Sequence, residues 1–307
     1  MFFGFVTQLY WPTRYKVDMR CDLHVHTRHS GMCTIPLLRR VCRESYNDPI
    51  AVYDKLKRQG MDLVTITDHD SIDAVEALRS RPDFFLSEEV TCTLPSGTEL
   101  HVGVYDITER DHIELQRRRH DFESLFAWLY DHNLFFSANH VFSSLTGKRA
   151  LEDFILFESA FPAIETGNGH MPARSNRAAA MLADRSARAE VGGSDAHAMA
   201  SVGCAWTTVP GARNRQEYLD GLRHGLGRVR GETGSWAKLT RDVLAIGREM
   251  VREDLRTLPV AALGWLVPAI TLGNYVLETV FVQYWLARYL RSNSRREVVT
   301  RIAEVNA

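Results

Sequence analysis

The chain has 307 residues, of which 45% are hydrophobic and 24% are charged, a composition that is ordinary for a globular protein with one large core or two modest ones. The formal net charge is −1, which argues against extended binding to nucleic acids through neutralised phosphates. The five cysteines are scattered without a C-x-x-C pair, and their number is odd. We therefore expect a protein of the reducing cytoplasm without a disulfide framework.

Three regions follow from the pattern along the chain. Residues 1–16 are apolar but have neither a basic start nor a small-residue cleavage site, so we interpret them as an N-terminal extension that packs on the next domain. Residues 17–235 alternate strand-like and helix-like segments and are predicted to form the main domain. Residues 236–307 change in character and are predicted to form a helical C-terminal region.

The first predicted strand carries a pair of histidines. Hydrophobic residues alternate with polar ones from Val17 to Val25, which predicts a strand with one buried face and places His24 and His26 on the same side. Neutral imidazoles at a strand end suit a metal ion, and Asp22 faces the same way, where a carboxylate can orient such ligands. An H-x-H pair is a weak signal by itself, so the metal prediction depends on the rest of the chain.

Further strand and helix signals alternate along the main domain. Apolar and β-branched runs predict strands at 62–67, 84–92, 99–104, 135–138, 163–166 and 189–192. Helical spacing predicts helices at 34–43, 49–59, 113–133, 151–159 and 173–185, with Gly60 following the second of them. Strands separated by helices indicate βα units and a parallel sheet, either open or closed.

Metal-binding residue types recur at the carboxyl ends of these strands. They are His24 and His26, Asp68 and His69, Glu89, His101, His140, Glu165 and Asn168, and Asp195 and His197. In a parallel α/β barrel this edge is the active-site face. Mixed imidazole and carboxylate ligands suit Zn, Mn or Fe, and two such cations can share a hydroxide that attacks at neutral pH. The same cations would neutralise phosphate oxygens, so the ligand set suits phosphoester hydrolysis.

Six motifs in order resemble those of the PHP (polymerase and histidinol phosphatase) superfamily. They are DLHVHT at 22–27, ITDHD at 66–70, EEVT at 88–91, ELHVGVY at 99–105, ANH at 138–140 and GGSDAH at 192–197. The resemblance covers about residues 17–235, and a subset of the family shares the ESYNDP and VTITDHDSID phrases at 44–49 and 64–73. It implies an α/β fold, a distorted (β/α)7 barrel, here followed by the C-terminal helical appendage. It also implies two or three divalent metal ions, usually for phosphoester hydrolysis.

The resemblance also implies a ligand for each position. His24, His26, Glu89 and Asp195 would hold the first metal, Glu89 would bridge to a second completed by His101 and His140, and His69 and His197 would contribute to a third. Glu89 rather than Glu88 is the bridge, because it stands directly before Val90 and Thr91 as in the family pattern. Asp195 and His197 are also predicted to be catalytic, and Asp68 is predicted to support the ligands more than to bind metal itself.

One departure from the family pattern concerns the third metal. Many members have a His or Asp eight residues after the first His of H-x-H, where this chain has Met32. A thioether is a poor ligand for hard or borderline cations. The third position would be complete only if His29 or water filled it.

A phosphate substrate also needs cationic or polar groups that bind it. Arg119 is the first choice because a guanidinium fork matches phosphate and the resemblance selects it; Arg174 and Arg177 are second choices. His112 is predicted to line the pocket, and Asn168 to donate to substrate or orient a ligand.

Residues predicted to have no direct role are Asp70, as a cap for a helix from Ser71, and His120, His132, His170 and His224, as surface or satisfied polar groups. Ser194 lacks the surroundings of a nucleophilic serine.

The C-terminal region contains an uncharged stretch. Residues 236–256 have the spacing of an amphipathic helix, and residues 257–277 carry no charge over a length that would span a bilayer. Because Pro, Gly and Asn interrupt this stretch, two alternatives remain open for 257–290: contact with a membrane surface, or packing against the domain or a second copy of the chain. Four arginines at 288, 291, 295 and 296 would suit anionic lipids.

These observations lead to one hypothesis with two rivals. The chain is predicted to hydrolyse a small phosphorylated metabolite or a nucleotide mono- or diester, in the cytoplasm or at the periphery of a membrane. The rivals are an amide or lactone hydrolase, since the same hydroxide can attack a carbonyl, and a non-catalytic scaffold or tether that metals stabilise.

Overall fold

The computed structural model describes residues 18–33 and 38–305, and the side chains of these residues as far as 292. The predicted extension at 1–16 and the first part of the predicted helix at 34–43 lie outside the described residues. The described end of that helix, 38–41, is a turn.

Strands and helices alternate, which confirms the α/β class. In the described part of the chain the strands are β1 (Asp18–Cys21), β2 (Ser87–Thr93), β3 (Glu99–Tyr105), β4 (Phe135–Ala138), β5 (Ala163–Asn168), β6 (Ala189–Gly193), β7 (Ala205–Pro210) and β8 (Arg228–Gly231). Their regular pairs form two sheets, ordered β1-β7-β8 and β2-β3-β4-β5-β6.

The helices occupy most of the intervening segments. Within the same residues they are α1 (Pro49–Arg58), α2 (Val75–Leu78), α3 (Glu109–Arg118), α4 (Phe122–Asp131), α5 (Leu151–Ala160), α6 (Ala173–Ser186), α7 (Arg215–Arg223), α8 (Trp236–Glu253), α9 (Leu258–Ala261) and α10 (Val267–Val305). The single helix predicted at 113–133 is wrong, because α4 begins anew where the Asp121 side chain accepts the Ser124 N–H at 3.1 Å.

The larger sheet is mixed, whereas the sequence predicted a parallel one. β2, β3 and β4 are antiparallel, and only β4, β5 and β6 are parallel. The connection between β2 and β3 is a tight turn closed by the Leu94 N–H, which donates to Thr98 O at 2.8 Å, and Gly97 in it has a φ of +78°. A parallel crossover needs a dozen or more residues, so this turn forces a hairpin.

The hairpin changes how His101 reaches the site. His101 lies near the start of β3, not at its carboxyl end as predicted, and it pairs with Thr91 near the end of β2. Because the two strands run in opposite directions, the beginning of β3 and the end of β2 meet at the same edge.

Two extended segments lie between the sheets without forming regular ladders there. The predicted strand at 62–67 is a run of isolated bridges: the Thr67 N–H donates to Val25 O at 3.0 Å, and the Glu89 N–H donates to Asp68 O at 3.1 Å. On the other side of the H-x-H segment, the Asp195 N–H donates to His24 O at 2.6 Å. These bonds connect the end of β6, residues 20–26, residues 62–70 and β2 in that order.

The C-terminal appendage is confirmed as a helical region that packs on the main domain. After α8 the chain passes through two short 3-10 helices, Leu255–Thr257 and Ala262–Leu266, on either side of α9. Val282 and Tyr289 of α10 are buried in the same apolar cluster as β2, β3 and α5. Leu255–Ser292 is long and apolar enough to cross a membrane by length and composition, with a mean hydropathy of 1.6 over its 18-residue window.

Candidate metal centre

All eight predicted metal-binding side chains converge on one site. Three-residue groups able to hold a cation include His24–His26–Glu89, His24–His140–Asp195, His69–Glu89–His101 and His26–His69–His197. In each group the ligand atoms lie within 4.8 Å of one another. The structure therefore brings together every residue for which the sequence predicted metal binding.

Glu89 lies at the middle of this site and is fully buried. Its Oε1 is 3.2 Å from His24 Nε2, 3.3 Å from His140 Nε2 and 3.6 Å from His101 Nδ1. Its Oε2 is 3.1 Å from His69 Nδ1 and 3.4 Å from His26 Nε2. A carboxylate whose two oxygens face separate groups of imidazoles has the arrangement expected of a bridge between cations. The neighbouring Glu88 points to the opposite face, as predicted.

Several polar atoms at the site have no hydrogen-bond partner although they are buried. Among the described side chains, half of the buried polar atoms without a partner belong here: His24 Nε2, His26 Nε2, His69 Nδ1, Glu89 Oε2, His101 Nδ1 and His197 Nε2. Buried polar groups in folded proteins are nearly always paired, and an orphaned one costs about 1–3 kcal/mol. Since these donor atoms are imidazole nitrogens and a carboxylate oxygen that face each other, they fit divalent cations.

The charge distribution keeps the carboxylates ionised. Burial by itself favours the neutral acid, but the imidazole of His24, whose own pKa the surrounding carboxylates raise well above its usual value, holds the pKa of Glu89 well below its usual value. The pKa of Asp195 is likewise held well below its usual value, against burial, mainly by His24 and His26.

Several imidazoles remain neutral because burial disfavours their charged form. Burial lowers the pKa of His26 well below its usual value, and the neighbouring His197 and His69 add to this effect. Burial also lowers the pKa of His101 and of His197. A neutral imidazole has a free lone pair, so these residues are in the protonation state that metal binding requires.

The rings of His24 and His26 are oriented so that Nε2 of each faces Glu89. His24 Nδ1–H donates to Glu165 Oε1 at 2.7 Å. His26 Nδ1–H donates to Ser30 Oγ at 3.0 Å, and the Ser30 hydroxyl donates to Asp68 Oδ1 at 2.6 Å. Such partners fix the ring orientation of metal ligands. Asp68 thus has the position expected of a supporting carboxylate. The sequence had placed Glu165 at the active-site edge without a specific role and had not singled out Ser30.

Asn168 orients two acidic groups, which is one of the two roles predicted for it. Its Nδ2 donates to Glu165 Oε2 at 3.0 Å and to Asp195 Oδ2 at 2.9 Å. Its Oδ1 accepts the backbone N–H groups of His170 and Met171. The side chain is buried and both of its ends are occupied, so it acts by holding Glu165 and Asp195 in place.

The sequence had suggested that Asp22 orients an imidazole, but its carboxylate binds backbone groups instead. Its carboxylate accepts the backbone N–H groups of His24, Ser194 and Gly203 at 2.8–3.2 Å. It therefore fixes the backbone at the end of β1 against the loop after β6. Burial, opposed by these hydrogen bonds, raises the pKa of Asp22 to about 6.

Two of the ligands have unusual backbone conformations. His140 has a φ of +30° and Asp195 a φ of +51°. The His140 N–H donates to Glu165 Oε2 at 2.9 Å, and the Asp195 N–H donates to His24 O. Left-handed conformations of residues other than glycine are sparsely populated and cluster at functional sites. Here these hydrogen bonds hold both ligands in that conformation.

The candidate substrate-binding residues lie in different places. Arg119 is at the edge of the centre, where its Nη1 donates to Asp70 Oδ2 at 2.7 Å and its side chain is 26% exposed. Asp70 therefore accepts hydrogen bonds from Arg119 and from the Thr91 N–H. The prediction that Asp70 caps a helix from Ser71 is wrong, because α2 begins only at Val75. Arg174 is exposed on α6, as is Arg177.

His112 lies on the opposite side of β2 from Glu89. Its Nδ1 lies 2.9 Å from Glu88 Oε2, and the side chain of Gln116 also donates to that oxygen. Successive strand residues point to opposite faces, so the position of His112 beside Glu88 corrects the prediction that it lines the pocket.

A carboxylate that the sequence had not assigned lies beside the predicted third metal position. Met32 is 41% exposed, and His29 belongs to none of the groups able to hold a cation among the described residues. Instead Glu44 Oε2 lies 3.8 Å from His69 Nε2. Glu44 follows Arg43, whose backbone pairs with that of Met32, so the same short segment carries both residues.

A chain of contacts connects the centre to the C-terminal region. His170 Nδ1 contacts Asp195 O, and its Nε2 lies 3.0 Å from Asp242 Oδ2 of α8. Both ring nitrogens of His170 thus have partners, and the residue couples α8 to a ligand of the centre. Its ring also forms a group with Asp195 and His197 that could hold a cation, which the sequence had not predicted.

Comparisons with known proteins agree with this picture of the fold. Residues 173–226 match the sequence model of a family described as PHP-associated. No curated protein matches the chain. The solved structure of a two-domain protein from Bacteroides vulgatus, containing a predicted PHP-like metal-dependent phosphoesterase, matches with a TM-score of 0.54 at 16% identity, covering 75% of this chain and 70% of that one.

A second solved structure has a similar degree of likeness. PsfC from Pseudomonas syringae matches with a TM-score of 0.52 at 18% identity, covering 76% of this chain and 98% of that one. The resemblance seen in the six motifs is confirmed at the level of the fold. Residues 173–226 are thus similar to the PHP-associated family, and the fold of the chain is similar to the folds of these two solved structures.

Proposed function

We propose that the chain is a metal-dependent phosphoester hydrolase. The observation that carries the proposal is the position of Glu89, whose two oxygens face five histidines while several of the surrounding nitrogens have no other partner. The likeness of the fold to a protein with a predicted PHP-like phosphoesterase domain supports the same reaction class.

The ligands divide into the positions implied by the resemblance. His24, His26, Glu89 and Asp195 would hold one cation, Glu89, His101 and His140 a second, and His69 and His197 a third. The Glu44 carboxylate is the nearest candidate to complete the third position, where Met32 provides no suitable ligand. Bound Zn, Mn or Fe would supply Lewis acidity, which lowers the pKa of water and offsets phosphate charge.

The protein itself would bind and orient the substrate. Arg119 is accessible at the edge of the centre, and its guanidinium has further N–H groups beyond the one that donates to Asp70. A planar guanidinium matches two phosphate oxygens, so Arg119 is the residue that we assign to substrate binding. Asn168 and Glu165 would act indirectly by keeping His24 and Asp195 in position.

We also infer that the extended segments close the strands into the distorted (β/α)7 barrel of the family. The support is the order of backbone contacts from β6 to residues 20–26, then to residues 62–70, and then to β2. In such a barrel the ligands share the carboxyl edge, apart from His101, which reaches it from an antiparallel strand.

Hydrolysis of chromogenic esters by a matched pair of variants tests this function. The full chain, purified without chelators and loaded with Mn, Zn or Fe, should cleave p-nitrophenyl phosphate or bis-p-nitrophenyl phosphate. Glu89→Gln should lower the rate by about 1,000-fold through loss of cations, whereas Glu88→Gln on the opposite face should retain activity.

Two outcomes would contradict the proposal. Cleavage of a nitrophenyl carboxylic ester or a lactone without cleavage of either phosphoester would favour the rival hydrolase. Metal-loaded protein that cleaves no ester, while Glu89→Gln lowers only the midpoint of thermal unfolding, would favour the scaffold.

A further inference from the structure

The C-terminal region presents an apolar surface to solvent. Its large side chains are Leu258, Leu263, Trp265, Ile270, Leu272, Val276, Leu277 and Val280, which we call the apolar face. Between residues 257 and 282 every exposed residue is apolar. Only 6% of the apolar window is buried, so this segment is not the core helix of a soluble domain. A contiguous apolar surface of this kind marks an interaction site.

The opposite side of α10 is anchored to the main domain. Val282 and Tyr289 are buried in the core, and the buried Glu278 accepts the Ser144 N–H at 3.0 Å and the Ser144 hydroxyl at 2.6 Å. A helix with one side fixed to the domain cannot be surrounded by lipid. The geometry is therefore that of a helix lying along a surface, with only the apolar face turned outward.

The chemistry of the apolar face favours lipid over a protein partner. Protein interfaces carry roughly one hydrogen bond per 100–200 Å² and a polar rim, and the exposed residues between 257 and 282 offer no polar side chain for either. Acyl chains need no such partners. Trp265, which is 75% exposed, and Tyr284 are the side-chain types that favour the boundary between acyl chains and headgroups.

The charges at the end of the face specify the kind of lipid. Arg288 and Arg291 are exposed beyond Tyr284, and the sequence has no acidic residue between Glu278 and Glu297. Two more arginines follow at 295 and 296, whose side chains lie outside the described residues. Cationic residues beside an apolar surface attract anionic headgroups.

We propose that the apolar face docks on the surface of an anionic lipid bilayer, with α10 lying parallel to it. The anchor on Ser144 is four residues after the ligand His140, and the neighbouring Leu145 is 68% exposed. Docking would thus hold the edge of the metal centre close to the lipid headgroups. The proposal concerns attachment and does not depend on the reaction that the centre performs.

Co-sedimentation of the full chain with vesicles tests the docking. Vesicles of phosphatidylcholine with phosphatidylglycerol should bind the protein. Vesicles of pure phosphatidylcholine should bind it less, and high salt should weaken its binding to the mixed vesicles. The triple variant Trp265→Ser/Ile270→Ser/Leu277→Ser should weaken binding about tenfold or more, because each change removes buried apolar area. A matched control, Ile113→Ser/Leu226→Ser, changes exposed apolar residues elsewhere and should bind like the wild type.

Three outcomes would overturn the docking. One is no binding to either kind of vesicle by protein whose circular dichroism shows it to be folded. Another is equal loss of binding in the triple variant and the control. The third is a concentration-dependent dimer in analytical ultracentrifugation that the triple variant abolishes, without vesicle binding, which would assign the apolar face to a second copy of the chain.

Discussion

The metal centre and the apolar face depart from ordinary burial in opposite directions. At the centre, polar atoms such as His24 Nε2 and Glu89 Oε2 are buried without partners. On the apolar face, side chains such as Trp265 and Leu277 are exposed without cover. Each departure is costly in an isolated chain, because buried polar groups need hydrogen bonds and large apolar surfaces avoid water.

The difference teaches what kind of partner each region lacks. Orphaned nitrogens and oxygens that face one another are relieved by cations, whereas an apolar surface without polar atoms is relieved by acyl chains. The two regions are also physically connected, because Glu278 of α10 accepts hydrogen bonds from Ser144, while His170 and Asp242 join the centre to α8. Substitutions confined to one region test this contrast.

Apart from Glu89, the largest effect is expected from Arg119. Arg119→Ala should lower kcat/KM for a phosphoester by about 100-fold, the typical loss when a group that stabilises developing charge is removed. The metal content should stay unchanged, because Arg119 is not a ligand. The control is Arg117→Ala, on the exposed end of the same helix, and equal activity of the two variants would remove Arg119 from the substrate site.

Glu165 should affect metal binding without contacting a cation itself. Glu165→Gln weakens the acceptor for His24 Nδ1–H, so affinity for the first cation should fall by about 10–100-fold in a titration against a fluorescent chelator. The exposed Glu190 on the adjacent strand provides the matched substitution, Glu190→Gln, which should bind metal like the wild type. Unaltered affinity in both variants would contradict the orienting role.

Glu44 distinguishes the third position from the other two. Glu44→Ala should reduce bound metal by one ion per chain. The reason is that the Glu44 carboxylate lies beside His69, whereas Met32 provides no suitable ligand for the third position. Glu253→Ala, which removes an exposed acid beside Arg43, should leave the metal content unchanged. If Glu44→Ala retained the full wild-type content, Glu44 would be a bystander.

The smallest effect concerns the anchor of the apolar face. Glu278→Ala leaves the Ser144 N–H and the hydroxyls of Ser143 and Ser144 without their acceptor and should lower the free energy of unfolding by about 1–3 kcal/mol. Gln283→Ala, on the exposed side of α10, should change it by less than about 0.5 kcal/mol. Equal thermal unfolding midpoints for the two variants would show that α10 is not held through Ser144.

The ligands could be predicted from the sequence because their signals are local. His24 and His26 share one side of a strand, and Asp195 and His197 belong to one short motif. The antiparallel direction of β3 could also be predicted, since residues 94–98 are too few for the crossover that a parallel strand would need. The break between α3 and α4 had a local signal as well, because Asp121 is a favoured helix cap.

Most partners in the supporting interactions could not be predicted, because they join residues far apart in the chain. Glu165 is 141 residues from His24, whose ring it orients, and Asp22 binds the backbone N–H of Gly203, 181 residues away. A carboxylate close to a histidine in sequence looks like its partner, but a buried Asp side chain can also satisfy backbone amides. Tertiary packing decides between these alternatives, and periodicity carries no information about it.

The most direct test of the central claim is the metal content of the full chain, purified without chelators and measured by inductively coupled plasma mass spectrometry beside Glu89→Gln. Convergence on Glu89 predicts two or three divalent ions per wild-type chain and a loss of at least the bridged pair in the variant. A folded wild-type chain that contains no divalent metal and takes up none on dialysis against Mn, Zn or Fe would contradict the account.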